Sequence, residues 1–289
     1  MKVNMGGKII FVNSFKGGAG KTTLSLMHCI TNLFQEKNKY ENVIYIDLDL
    51  LGTATSYLFE EGKLPRELCF NDTGRTVEIE LTLEGKTETL HVAYLDPGFK
   101  NRSFSGDEYY IHHKELDEEL LKFRLSEFIN GIFAKPYSCL LVIDCAPGFS
   151  QLEQELLMEC YHNKIKWNVE VEEKYVTTLD AAHIQKSISC IRSSTEAFEV
   201  SPDVRTIHFV LNDIQNYSKW VKEEMKKDVM QIWKDIAARI KKELEQIDFT
   251  IYCWRYSQNI AVNNTYTSEE KVENQVDDYR MTEANYVKL

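Results

Sequence analysis

The stretch SFKGGAGKTT, Ser14 to Thr23, places a lysine on each side of a glycine-rich run. Gly17, Gly18 and Gly20 free the backbone to turn several N–H groups into one concavity, which the main chain of Gly17, Gly18, Ala19 and Gly20 would line. Such a nest, followed directly by a helix, is a site for an anion. Lys21 would reach β- and γ-phosphates, the Thr22 hydroxyl would bind Mg²⁺, and Thr23 could touch an α-phosphate. The ordinary phosphate loop reads G-x-x-x-x-G-K-[ST]. Phe15 stands where its first glycine belongs, so that pattern fails and Lys16 is a cation outside it. A flexible loop without function would carry the same glycines. The apolar strand before this one and the amphipathic helix after it favour the phosphate site.

Carboxylates follow in two further segments. IDLDLLGT holds Asp47 and Asp49, which on an extended strand share a face. Two carboxylates beside a triphosphate repel unless a cation or a water lies between them. One is therefore expected to help hold Mg²⁺ and the other to orient an attacking water. LLVIDCAPG ends an apolar strand on Asp144, a second carboxylate of the type that supports Mg²⁺ in phosphoryl transfer. Gly148, after Pro147, could bring a backbone N–H to the γ-phosphate. The bland alternative is a set of solvated strand ends.

The elements that must position these groups are readable from the apolar pattern. Residues 8–14, 42–50, 138–146, 173–180 and 206–213 are short, nearly continuous apolar runs, most ending in Ser, Asp or Asn. Strands buried on both faces look like this and belong to parallel sheets. Helical patterns fill the gaps after the glycine loop and at 116–133, 181–198 and 217–247. In the last of these, Val221, Met225, Val229, Ile232, Ile236, Ile240 and Leu244 step by three or four. The alternation predicts an α/β fold, a doubly wound, mainly parallel sheet flanked by helices, with ligands bound beyond the carboxyl ends of the strands. Residues 75–98 read instead as a β-hairpin, within a segment, 60–113, that is either an insertion or an extended edge of the sheet. Residues 1–262 are expected to form a single domain. Residues 263–289 are expected to form an acidic tail, either a solvated helix or an unstructured end.

Composition bounds the rest. The 289 residues carry a net charge of −11, which repels nucleic acid on average and gives DNA binding no support. The eight cations of 217–247 are accompanied by six acids, the pattern of a solvated face. No run of 18 apolar residues exists, and no signal peptide is recognisable. The seven cysteines are odd in number and lack a C-x-x-C pair. They read as reduced core residues of a cytoplasmic protein.

In this order, KGGAGKTT, IDLD…G and LLVIDCAPG resemble the deviant Walker ATPases of the ParA/MinD group. The resemblance covers about 1–60 and 136–262 in outline and extends to FVLN, 209–212. It implies a P-loop fold, ATP and Mg²⁺ as cofactors, a nucleotide-sandwich homodimer, and slow hydrolysis that switches binding of a protein partner. It further implies that Lys16 reaches across the dimer to the other subunit's nucleotide and that Lys21 serves its own. Asp49 would position the water, Thr22, Asp47 and Asp144 would support the metal, and Asn212 would read the base. Leu50-Leu51-Gly52-Thr53 follows Asp49 where many members read DxDPQGN. The acidic C-terminal segment does not match the basic membrane helix of the MinD type, so membrane binding is not expected. Three other classes share some features. A bacterial tyrosine kinase-like protein would use the tyrosines near the C-terminus. A signal-recognition GTPase would need the lysine that TTLD, 177–180, lacks. A nucleotide-gated scaffold would not hydrolyse at all.

Overall fold

The structure is a computed structural model. It describes residues 6–35, 40–49, 76–83, 85–94, 118–135, 137–148, 150–197, 204–212, 226–254 and 286–288. Its strands are β1 Gly7–Asn13, β2 Asn42–Asp47, β3 Val77–Leu83, β4 Lys86–Tyr94, β5 Cys139–Asp144, β6 Val169–Thr178, β7 Ile207–Asn212, β8 Phe249–Trp254 and β9 Tyr286–Lys288. Its helices are α1 Lys21–Leu33, α2 Glu118–Phe133, α3 Gln151–Trp167, α4 Ala181–Ala197 and α5 Lys226–Glu243.

The strands form one sheet in the order β3-β4-β2-β5-β1-β6-β7-β8-β9. Every neighbouring pair from β4 through β8 is parallel, and the edge strands β3 and β9 run antiparallel. This is a doubly wound, mainly parallel α/β sheet. The central strands are apolar because both faces are covered. Among the described helices, α1 packs on one face, over Ile10, Val12, Tyr45, Leu140 and Val142. On the other face, α2 and α3 cover Ile9, Phe11, Ile46, Leu141 and Ile143, while α4 and α5 cover Tyr175, Phe209 and Ile251.

The hairpin is present, and β4 also pairs in parallel with β2, so it extends the edge of the main sheet, one of the two arrangements expected for it. Other expectations shift. The remainder of 60–113 lies largely outside the described residues. α3 and β8 are absent from the sequence reading. The charged, evenly mixed surface of α3 hides a narrow apolar seam of Leu156, Leu157, Cys160 and Tyr161. In α5 the buried face is Trp233, Ala237, Ile240 and Leu244, whereas Ile232 is 41% exposed. Ile240 and Leu244 of the expected row are buried and Ile236 packs against the core, but Trp233 and Ala237 take the place beside them that the periodicity gave to Ile232. Val221 and Met225 lie outside the described residues. At the C-terminus, where a solvated helix or an unstructured end was expected for 263–289, Tyr286–Lys288 returns to the sheet and pairs with β8.

Candidate functional site

The loop between β1 and α1 sits at the carboxyl end of the central strand. Gly18 and Gly20 take left-handed φ values of 74° and 95°, which alternates the direction of successive N–H groups into a nest. A Cβ added at Gly17 or Gly18 would meet nothing within 4 Å, so the loop is bordered by open space. α1 begins at Lys21 with no side-chain cap and no acid in its first turn. The contrast with α3 is informative. There Ser150 and Glu153 form a full capping box, and the first turn is satisfied internally. No side chain caps the donors at the start of α1, where an anion would be favoured. Lys21 and Thr23 are buried beneath the loop, while Lys16 is exposed.

The carboxylates gather beside Thr22. Parallel pairing places Asp47 opposite Asp144 in register, on the α1 face of adjacent strands. Asp144 is fully buried. Its Oδ2 accepts the Thr22 hydroxyl at 2.7 Å and the Tyr45 hydroxyl at 2.9 Å, and its Oδ1 has no hydrogen-bond partner. Burial pushes the Asp144 carboxyl up; Lys21 and the two hydroxyls oppose that shift and Asp49 adds to it. β2 stops at Asp47, so Asp47 and Asp49 are not related by a strand pleat. Instead the Asp49 N–H donates to Asp47 Oδ1 at 2.9 Å, folding the chain end back on itself.

Other contacts brace the loop. Asn212 donates its amide to the Ala19 carbonyl at 2.7 Å, leaving Oδ1 without a partner. Gly148, at φ 115°, gives its N–H to the Ser14 carbonyl at 3.0 Å. The N–H expected to meet a phosphate is thus engaged with the loop itself. Ser14 Oγ also lies 3.3 Å from His183 Nε2. Thr178 N–H donates to His183 Nδ1 at 3.3 Å, so the ring proton belongs on Nε2 and points at Ser14. Burial and Lys16 push the His183 pKa down, against the opposing pull of Asp180. Glu153 accepts N–H groups from Ala146 and Ser150, which close the two ends of the loop after β5. Tyr45, His183 and Glu153 were missed in the sequence reading. A hydroxyl-bearing aromatic inside a Val/Ile strand was the one available signal for Tyr45.

Among the described residues, no group of three His, Cys, Asp or Glu could hold a metal by itself. The donor set nevertheless fits Mg²⁺, a hard cation that keeps waters and takes few protein oxygens beside a phosphate. The orphaned Asp144 Oδ1 and the adjoining Thr22 hydroxyl are such oxygens. No described helix is long and apolar enough to cross a membrane.

A glycine nest at the end of the central strand, its lysine and threonine opening α1, and a carboxylate at the end of the neighbouring strand define a P-loop nucleotide-binding fold. The model of the CobQ/CobB/MinD/ParA nucleotide binding domain matches residues 10–244, and the chain belongs to that family. Solved structures of similar fold include a putative plasmid partition protein from Borrelia burgdorferi bound to AMPPNP. It has 14% identity and a TM-score of 0.50, covering 96% of this chain and 98% of that one. The cell division ATPase MinD of Pyrococcus furiosus has 15% identity and a TM-score of 0.50, with 96% and 98% covered. The pNOB8 ParA has 13% identity and a TM-score of 0.51, with 77% and 70% covered. No curated protein matches the chain in sequence.

Proposed function

We propose that this chain is an ATPase that binds Mg-ATP, pairs with a second copy around the nucleotide, and hydrolyses it slowly to switch a protein partner. The observation that carries the reading is the set of Asp144, Asp47 and Thr22 at the mouth of an open glycine nest. Three carboxylates, Asp47, Asp49 and Asp144, are buried at this end of the sheet together with Lys21. A triphosphate would be repelled by that balance unless a divalent cation accompanied it.

In this reading the loop N–H groups and Lys21 hold the phosphates, Thr23 adds a hydroxyl at the α-phosphate, and Asn212 Oδ1 accepts from the base. Thr22, Asp144 and Asp47 would hold Mg²⁺, which when bound neutralises charge on the β- and γ-oxygens. Asp49 orients a water toward the γ-phosphorus. The oxygen bridging to the β-phosphate leaves with ADP, and phosphate is released. Lys16, exposed beside the nest, is free to meet a nucleotide held by a second copy. Gly148 must exchange its Ser14 carbonyl for the γ-phosphate, which couples the loop after β5 to the nucleotide state.

The test is Mg²⁺-dependent release of phosphate from ATP, read beside oligomeric state. Wild type should turn over and dimerise with ATP. Lys21→Ala should lose turnover by about 10² or more through lost transition-state charge neutralisation. Asp49→Ala should remain a dimer in ATP. Absence of both turnover and ATP-dependent pairing in wild type would sink the proposal.

A further inference from the structure

Tyr45 is the unusual member of the site. It lies in β2, fully buried, where Val43, Ile44 and Ile46 supply aliphatic packing. Its register partner on β5 is Val142, two residues before Asp144 and on the same face. The phenol thus runs along the α1 face toward the strand ends, and its hydroxyl reaches Asp144 Oδ2. A buried hydroxyl is costly without a partner, and here the bonded partner is the carboxylate. An aliphatic side chain would serve the core without that requirement.

Asp144 Oδ2 therefore carries two hydroxyl donors, and Oδ1 carries none. The two donors differ in what they do when a cation arrives. Thr22 opens α1 next to the nest, and its hydroxyl oxygen is a metal donor in the ATPase reading. Tyr45 lies within the sheet core and has no such second duty. It can keep hold of Oδ2 whatever Thr22 does.

We infer that Tyr45 is a positioning residue for the divalent cation: its hydroxyl fixes the Asp144 carboxylate by Oδ2 so that Oδ1 is the oxygen offered to the metal. This rests on the Mg-ATP reading of the site. Without the phenol, the Thr22 hydroxyl is the single donor left on Oδ2, and the carboxylate can turn about it. Rotation of the carboxylate then competes with metal binding.

The experiment uses the full chain with Tyr45→Phe, which keeps the ring and removes one oxygen. A fluorescent ADP is titrated with and without Mg²⁺, and Mn²⁺ binding in the presence of ADP is followed by electron paramagnetic resonance. A hydrogen bond to a charged group corresponds to about tenfold or more in an equilibrium, so the Mg²⁺ and Mn²⁺ half-saturation points should rise about tenfold. Metal-free ADP affinity should stay within about twofold of wild type, a negligible free-energy change. Tyr45→Leu, should the first variant fold poorly, is expected to move the metal curves in the same direction. A lowered Tm with unmoved metal curves would make Tyr45 merely structural and overturn the assignment. If wild type shows metal-dependent ADP binding and both variants match it, the assignment fails while the ATPase reading stands. If wild type shows none, both fall.

Discussion

Glu153 illustrates how one side chain can carry both architecture and a pH response. Its carboxylate closes the loop after β5 by accepting N–H groups from Ala146 and Ser150. It is 1% exposed, and burial pushes its pKa up to about 7 against those hydrogen bonds. A carboxyl whose folded pKa lies above its unfolded value binds a proton more readily when folded. Its stabilisation is complete below about pH 4.5 and is lost as pH rises through about 7. The loss is on the order of 3 kcal/mol. Urea denaturation from pH 4.5 to 7.5, comparing wild type with Glu153→Gln, isolates the effect. The stability of wild type relative to the variant should fall across that range. A difference independent of pH would show that Glu153 does not titrate there.

Between elements, the firmest polar junction is remote from the nucleotide loop. Arg205, just before β7, makes a two-pronged bond to Glu173 of β6 at 2.8 and 2.6 Å, with both side chains at 0% exposure. Tyr161 of α3 and Tyr175 donate to the same carboxylate, and Ser194 and Thr195 of α4 meet the guanidinium. Arg205→Met would leave Glu173 charged and uncompensated in the core, at about 3–5 kcal/mol. The α5 contact offers a different comparison. Trp233→Ala should cost about 3–5 kcal/mol as a buried aromatic truncated to a cavity. Ile232→Ala, at a surface position, should change stability by about 0.5 kcal/mol or less. Equal losses in guanidinium melts would place Ile232 in the packed face beside Trp233.

Across the whole molecule, the proposed switch depends on a second copy. Each chain carries a net charge of −11, so two copies repel at long range. Exposed Lys16 offers a cation at the place where a partner's nucleotide would bring extra negative charge. Lys16→Ala should therefore keep ADP affinity within about twofold, since that contact is not made within one chain. Its ATP-dependent dimer should disappear in sedimentation velocity. Pairing that survives the substitution would remove Lys16 from the interface. Added salt up to about 0.3 M should not weaken the wild-type dimer, because screening relieves the long-range repulsion more than it weakens a buried lysine–phosphate contact. A dimer that dissolves over that range would place the main attraction at the exposed rim.

The nucleotide loop, the acidic strand ends and the parallel α/β layering could all be read from the chain. Each rests on local chemistry: glycines that permit a nest, a lysine and threonine that open a helix, apolar runs that end in Asp. The periodicity of α5 found Ile240 and Leu244 but misplaced Ile232, because it counts apolar residues without knowing which neighbour will accept an indole. The position of β8 was missed because Phe249–Trp254 holds a single aliphatic residue, Ile251, among aromatics, Thr250 and Cys253, rather than a plain aliphatic run. Contacts across strand order were beyond any local pattern. Asp47 meets Asp144 because β2 lies beside β5, and Ser14 meets His183, 169 residues away, because β6 lies beside β1. Sheet order is fixed by how the helices bury the two faces together, and that cooperative packing turns scattered polar residues into a single site.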